Sequence, residues 1–315
     1  MDIKAALNKF IPPSLLVLGL IGNFGFMLVY SQKRFRNFSF RFIFIILSIF
    51  DSIYLIFNMG IDCLNYLLNW DIKNKSAVSC VLIDYFGYFL GPISPWIIVY
   101  VSFERLVSIS PMLHRFNKMK KKQCQIAYIV LVAMFNVVYY LPVLLVLNKD
   151  DQSLNITIFD CEELNINIVY MDLFLSTVIP AFLMLFSTAM IIFSIFNSTN
   201  RMAKHGVAKI KRRIRKDIKF SITSIFLNVV FIILNLPLCV IYLDADNFDK
   251  NNLNYIVSLY LFYCTYAINF YLFLVVNSSF RNEFLKLIHL KHSNLVSELS
   301  NDFNRKETFR QTIKN

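Results

Sequence analysis

Polar and ionisable side chains within or at the ends of the long apolar runs of this sequence are few. Asp51 follows Leu47-Ser48-Ile49-Phe50 inside a long hydrophobic run. A carboxyl in that setting must be protonated, hydrogen-bonded to other segments, or paired with a bound cation, because an unpaired buried charge is far too costly. Asn23, Ser94, Asn235 and Asn269 lie at corresponding positions in other apolar runs and are the candidate partners. Together they form either a hydrogen-bond clamp between helices or a site for a sodium ion. Glu104-Arg105 closes a third run, and Asp217 precedes a later one. If those two ends touch, Arg105 and Asp217 form an ion pair that holds this face closed. Asp62, Asp84 and Asp172 lie near the opposite ends of their runs and are the candidate contacts for a ligand. Catalysis is not expected, because neither a nucleophile–base pair nor a His/Cys cluster at metal-ligand spacing occurs. Sodium is the one cofactor considered.

These residues are carried by elements made for lipid. Of 315 residues, 57% are hydrophobic and 17% charged, where a water-soluble domain carries about a quarter charged. A bilayer core of roughly 30 Å requires about 20 apolar residues in a helix, because lipid offers the backbone no hydrogen-bond partner. Runs near 11–31, 41–64, 82–103, 124–147, 168–196, 220–243 and 253–277 meet that length. The expected fold is an all-α bundle of seven membrane spans. Pro12 and Pro13 are expected to open the first helix, and that span is expected to serve as the targeting signal. Pro92, Pro95, Pro142, Pro180 and Pro237 fall within later spans and favour kinks.

Orientation follows from Lys and Arg, which gather on cytoplasmic loops. The odd-numbered loops and the segment after the last span hold twenty-five, and the opposite face holds six: Lys4, Lys9, Lys73, Lys75, Lys149 and Lys250. The amino terminus is therefore placed outside and the carboxyl terminus inside. The net charge of +12 is first a topology signal, and because the basic runs abut spans no nucleic-acid partner is expected. Acidic residues segregate outward, at Asp150, Asp151, Asp160, Glu162, Glu163, Asp244, Asp246 and Asp249. They are either solvated loop ends or a negative funnel for a cationic ligand. Cys80 and Cys161 both fall outside, where the oxidising compartment favours a disulfide. The sequons at Asn74 and Asn155 also land outside, as glycosylation requires.

From about Leu16 to Leu290 the chain resembles the rhodopsin-like (class A) G-protein-coupled receptors. Gly22-Asn23, Leu47 with Asp51, Glu104-Arg105-Leu106, Pro180, Phe231 with Pro237, and Asn269 followed by Phe-Tyr-Leu-Phe are similar to the family's span signatures. Cys80 lies twenty-five residues ahead of Arg105, as the family's disulfide cysteine does. Ser279–Leu290 resembles the short amphipathic helix along the inner membrane surface, with Phe280, Phe284, Leu287 and Ile288 on one face. The departures are Asn235 for the span-six tryptophan, Phe270 and Phe273 for the span-seven proline and tyrosine, Thr188 for the span-five tyrosine, and Leu106 for the tyrosine after the arginine. Tyr263 stands where opsins carry the retinal lysine and Gly87 where monoamine receptors carry an aspartate. The style is nearest to invertebrate neuropeptide receptors. The resemblance implies a plasma-membrane receptor domain over 1–290 with a cytoplasmic tail over 291–315. It also implies an extracellular ligand, in kind a peptide, and heterotrimeric G proteins as partners, with membrane lipid around the basic inner loops. Pro180, Phe231 and Pro237 would be its hinge, and Arg105 released from Asp217 its G-protein contact. A small-molecule chemoreceptor of the same fold is the alternative. A transporter is the more distant one, since the halves show no internal repeat of the kind such folds carry.

Overall fold

The computed structural model describes residues 3–36, 38–141, 170–204, 208–243 and 252–288. Six helices in it are long and apolar enough to cross a membrane, and a bent pair supplies the seventh span. Spans one and two are the helices Ile3–Ser31 and Arg41–Leu68. Span three is built from Ala77–Leu90 and Ile93–Ile109, and span four is Lys122–Tyr139. Span five, Tyr170–Asn197, starts with a π-helical stretch at Leu173–Val178, and span six lies within Ala208–Leu243. Span seven is Leu253–Cys264 followed by Asn269–Val276, bent by 63°. A juxtamembrane helix follows over 278–288, with Phe280 fully buried and Phe284 and Leu287 packed on the core, while Ile288 is exposed.

The first helix begins well before Pro12, so both prolines lie inside it rather than at its start. Its outer extension is held by Asn8, which accepts from the Tyr260 hydroxyl of span seven (2.9 Å) and donates to Tyr66 of span two (3.4 Å). Those cross-links supply tertiary support where the two prolines remove helical bonds.

The other prolines act through the carbonyls that they leave without an N–H partner. Pro95 cannot bond back to Gly91, and the freed Gly91 carbonyl accepts the Tyr266 hydroxyl from span seven at 2.9 Å. In the π-helical turn of span five the Ile179 amide bonds Phe174, five residues back. Pro180, next in that register, leaves the Leu175 carbonyl free, and Trp96 Nε1 of span three donates to it at 3.1 Å. Polar side chains thus restore in the protein interior what lipid cannot supply. Pro237 lies within a continuous span-six helix. Pro142 is outside the described residues.

Span seven breaks without a proline. A Cβ on Gly25 would lie 2.8 Å from Phe270 Cε2, and one on Gly22 would meet Tyr271 and the Ala267 carbonyl. The small residues of span one therefore admit the bent turn of span seven at close range. The turn's buried Tyr266 carbonyl accepts from Asn23 Nδ2 at 3.1 Å.

Candidate functional site

Four polar levels lie along the bundle. At the outer end a cavity of about 340 Å³ opens between spans two, three, five, six and seven. Asp62, Asp84 and Asp172 all line it, with Lys73 and the rings of Tyr54, Tyr88, Tyr242, Tyr255 and Tyr263. Asp84 is nearly buried and pairs with Lys73 at 2.8 Å. Asp172 accepts the Tyr140 hydroxyl at 2.7 Å, which ties span five to the end of span four. Gly87 also lines the cavity, and Asp84 stands three residues before it, so the carboxyl comes from one helical turn further out on the same face. Three carboxyls against one ammonium, with aromatic faces between them, make a pocket suited to a cationic group.

At mid-depth Asp51 and Asn269 come together. Asn269 Nδ2 donates to Asp51 Oδ2 at 2.8 Å, and both residues are buried. The Ser94 hydroxyl stands beside the same carboxyl, while Asp51 Oδ1 has no hydrogen-bond partner among the described residues. Asn23 and Asn235 are buried as well but are not bonded to Asp51. Asn23 serves the Tyr266 carbonyl, and Asn235 donates to the Phe231 carbonyl of its own helix at 2.7 Å. Their Oδ1 atoms are also without partners among the described residues. A buried acceptor oxygen with a hydroxyl beside it fits a hard cation, which takes oxygen ligands. Asp51 and Ser94 would be its nearest holders.

Below them lies a cluster that the sequence reading missed. Asn228 of span six accepts from the Ser102 hydroxyl of span three (2.7 Å) and donates to Thr188 of span five (2.9 Å). Ser102 and Ser224 also approach to 3.2 Å. Thr188, noted as a departure, is thus part of a three-span joint. A polar residue in each of three lipid-depth runs was the available signal. Phe231 is buried in the core one turn outward, and Pro180 and Pro237 lie about two turns outward of this level on spans five and six.

At the inner end the structure corrects the expected lock. The ion pair of Arg105 is with Glu104, its neighbour on the same helix, at 3.0 Å, rather than with Asp217. Glu104 in turn accepts from Ser39 and from Gln125 (3.5 Å), and Gln125 also reaches the Ser39 carbonyl at 2.8 Å. The guanidinium is thereby drawn toward the first inner loop, where its Cζ lies 4.4 Å from the centroid of the Phe40 ring. Span six ends nearby through Thr223, which accepts from Asn277 at 3.3 Å. The Oδ1 of Asn277 caps the juxtamembrane helix, bonding the amides of Ser279 and Phe280.

Cys80 is disulfide-bonded and buried, and Cys63, Cys124, Cys239 and Cys264 are free. Its expected partner Cys161, the sequon Asn155, the acidic residues of the second and third outer loops and the tail 291–315 lie outside the described residues. So do the side chains of Asn74 and of the basic stretch 201–216. Among the described residues no group of three or more His, Cys, Asp and Glu could hold a metal ion.

Residues 23–273 match the family model of the 7 transmembrane receptor (rhodopsin family). The chain belongs to this family. It is a multi-pass membrane receptor of the kind found at the plasma membrane, from a family of receptors rather than enzymes. A search of curated proteins finds no match.

Proposed function

We propose that this receptor carries the binding of an extracellular ligand with a cationic group, such as a basic side chain or the amino terminus of a peptide, to heterotrimeric G proteins. The observation that supports this reading is the outer cavity, where Asp62, Asp84 and Asp172 converge among five tyrosines. Its volume suits one or two side chains of a peptide rather than a whole one, so the rest of such a ligand would lie on the outer loops. Binding there biases spans three, five, six and seven, which meet again through Ser102, Asn228, Thr188 and Tyr266. To move such a bundle from 1:99 to 99:1 the ligand must favour the open form by about 5.5 kcal/mol. A small-molecule chemoreceptor would use the same cavity. A sodium ion at Asp51, and anionic lipid beside the basic inner loops, complete the proposal.

The test is a library of basic, neutral and acidic peptides and small amines, read by second messengers in cells expressing the receptor. Basic peptides are expected to activate, with potency lowered at least about tenfold in Asp172→Asn, a loss of roughly 1.4 kcal/mol. Activation by small amines alone favours the chemoreceptor. Activation by acidic ligands, indifferent to Asp62, Asp84 and Asp172, refutes the cationic reading.

A further inference from the structure

We propose that Phe40 and Phe220 position Arg105 and hold the inner face shut as an aromatic clasp, in place of an ion pair between spans three and six. Four observations converge on these residues. The only ion pair of Arg105 among the described residues is with Glu104 on its own helix, so it links no two spans. The guanidinium instead lies over the Phe40 ring at 4.4 Å. Arg105 is 4% exposed, and a cation–π contact strengthens when the cation is withdrawn from water. Phe220 of span six then packs on the same ring, with centroids 4.6 Å apart, and on Phe38 at 5.3 Å.

The arrangement gives the first inner loop two grips on one motif. Ser39 bonds Glu104, and Phe40, the next residue, takes Arg105. Gln125 fastens the Ser39 backbone from span four, so the loop is a fixed platform. Span six reaches that platform through a ring. Outward movement of its inner end separates Phe220 from Phe40 and uncovers the Arg105 cation. Arg105 Nε is buried with no hydrogen-bond acceptor among the described residues, so the closed state leaves one donor that an incoming partner can satisfy. Phe40 and Phe220 are positioning residues, since both act through Arg105. Phe220 stands three residues after Asp217, one helical turn away.

The proposal rests on the receptor reading only in requiring an inner face that opens, and the test reads that motion without a G protein. Purified full-length receptor in lipid nanodiscs is spin-labelled at Cys124, which is exposed at the inner start of span four, and at Lys219→Cys, exposed on span six. Cys63, Cys239 and Cys264 are replaced by alanine in this background. Ligand-free distance distributions are compared for the parent, Phe40→Leu, Phe40→Trp, Phe220→Ala, Phe220→Tyr and Asp217→Asn. Phe40→Leu and Phe220→Ala are expected to raise the long-distance population roughly five- to thirtyfold. Phe220→Tyr keeps the ring and should stay near the parent, and Phe40→Trp, with the better π face, should lower that population. Asp217→Asn should change nothing. A long-distance shift in Asp217→Asn with none in Phe40→Leu would overturn the clasp. If a Phe220→Ala chain does not fold, the opposite shifts of Phe40→Leu and Phe40→Trp still decide. Distances that move as expected without any change in nucleotide exchange by G proteins would uphold the clasp and defeat the G-protein reading instead.

Discussion

Replacing Asn269 by alanine tests how the buried carboxyl of Asp51 is kept. In the native bundle one oxygen of that carboxyl receives the Asn269 amide at 2.8 Å, and the other has no hydrogen-bond partner among the described residues, with the Ser94 hydroxyl beside the carboxyl. Asp51 is fully buried, so water cannot replace the lost donor without rearrangement. Leaving a buried polar group unsatisfied costs about 1–3 kcal/mol, more where the group is charged. The assay is thermal unfolding of detergent-solubilised receptor, followed by a thiol-reactive fluorophore. Cys63, Cys239 and Cys264 are partly buried in the spans and become reactive as the bundle opens. Asn269→Ala should lower the midpoint clearly, whereas Asp51→Leu combined with Asn269→Leu removes both polar groups and should lower it less than Asn269→Ala alone. Sodium chloride in place of potassium chloride should raise the parent midpoint and leave Asp51→Asn unmoved, with about 2.7 kcal/mol gained once sodium exceeds its dissociation constant a hundredfold. An Asn269→Ala protein as stable as the parent would refute the clamp. Equal midpoints in the two salts would refute the sodium site while leaving the clamp intact.

Two further perturbations probe how span seven is seated. Gly25→Leu places side-chain atoms where Phe270 Cε2 already lies 2.8 Å from the position of a Cβ. It should cost about 1–3 kcal/mol in the same unfolding assay, and Phe270→Ala in the same chain should restore part of that loss. Tyr266→Phe removes the donor to the Gly91 carbonyl and should lower the midpoint by the equivalent of roughly 1–2 kcal/mol. An unchanged midpoint would show that Pro95 leaves no carbonyl in need of that hydroxyl.

The bundle was legible in the sequence because lipid imposes one rule on every segment: backbone groups must be satisfied within a helix. The apolar runs and the asymmetric loop charges report that rule directly. The union of Asp51 and Asn269 was legible for a related reason, since a carboxyl in hydrocarbon must find a polar partner and few exist. Asn23 and Asn235 met the same test but turned to the backbone, where Tyr266 and Phe231 offered carbonyls. Depth along a helix says nothing about which side a short side chain faces. The break in span seven has no proline to announce it, since Phe270 stands in that place, while the glycines of span one make room for a bend. Arg105 was misjudged because a search for its partner among carboxylates alone overlooks an aromatic face. Phe40 and Phe220 carry no charge by which pairing could be anticipated, and they are two of 32 phenylalanines.

Signalling from the inner end of span three to a G protein is measured by nucleotide exchange. Purified receptor in nanodiscs is mixed with heterotrimeric G proteins of each major class, and GTP uptake is followed for the parent and for Arg105→Ala at matched amounts of folded receptor. Exchange above the receptor-free rate is expected with at least one class, activated further by the ligand from the peptide screen and lost in Arg105→Ala. Ligand-evoked ion flux or uptake through the parent, with exchange at the receptor-free rate for every class, would contradict it.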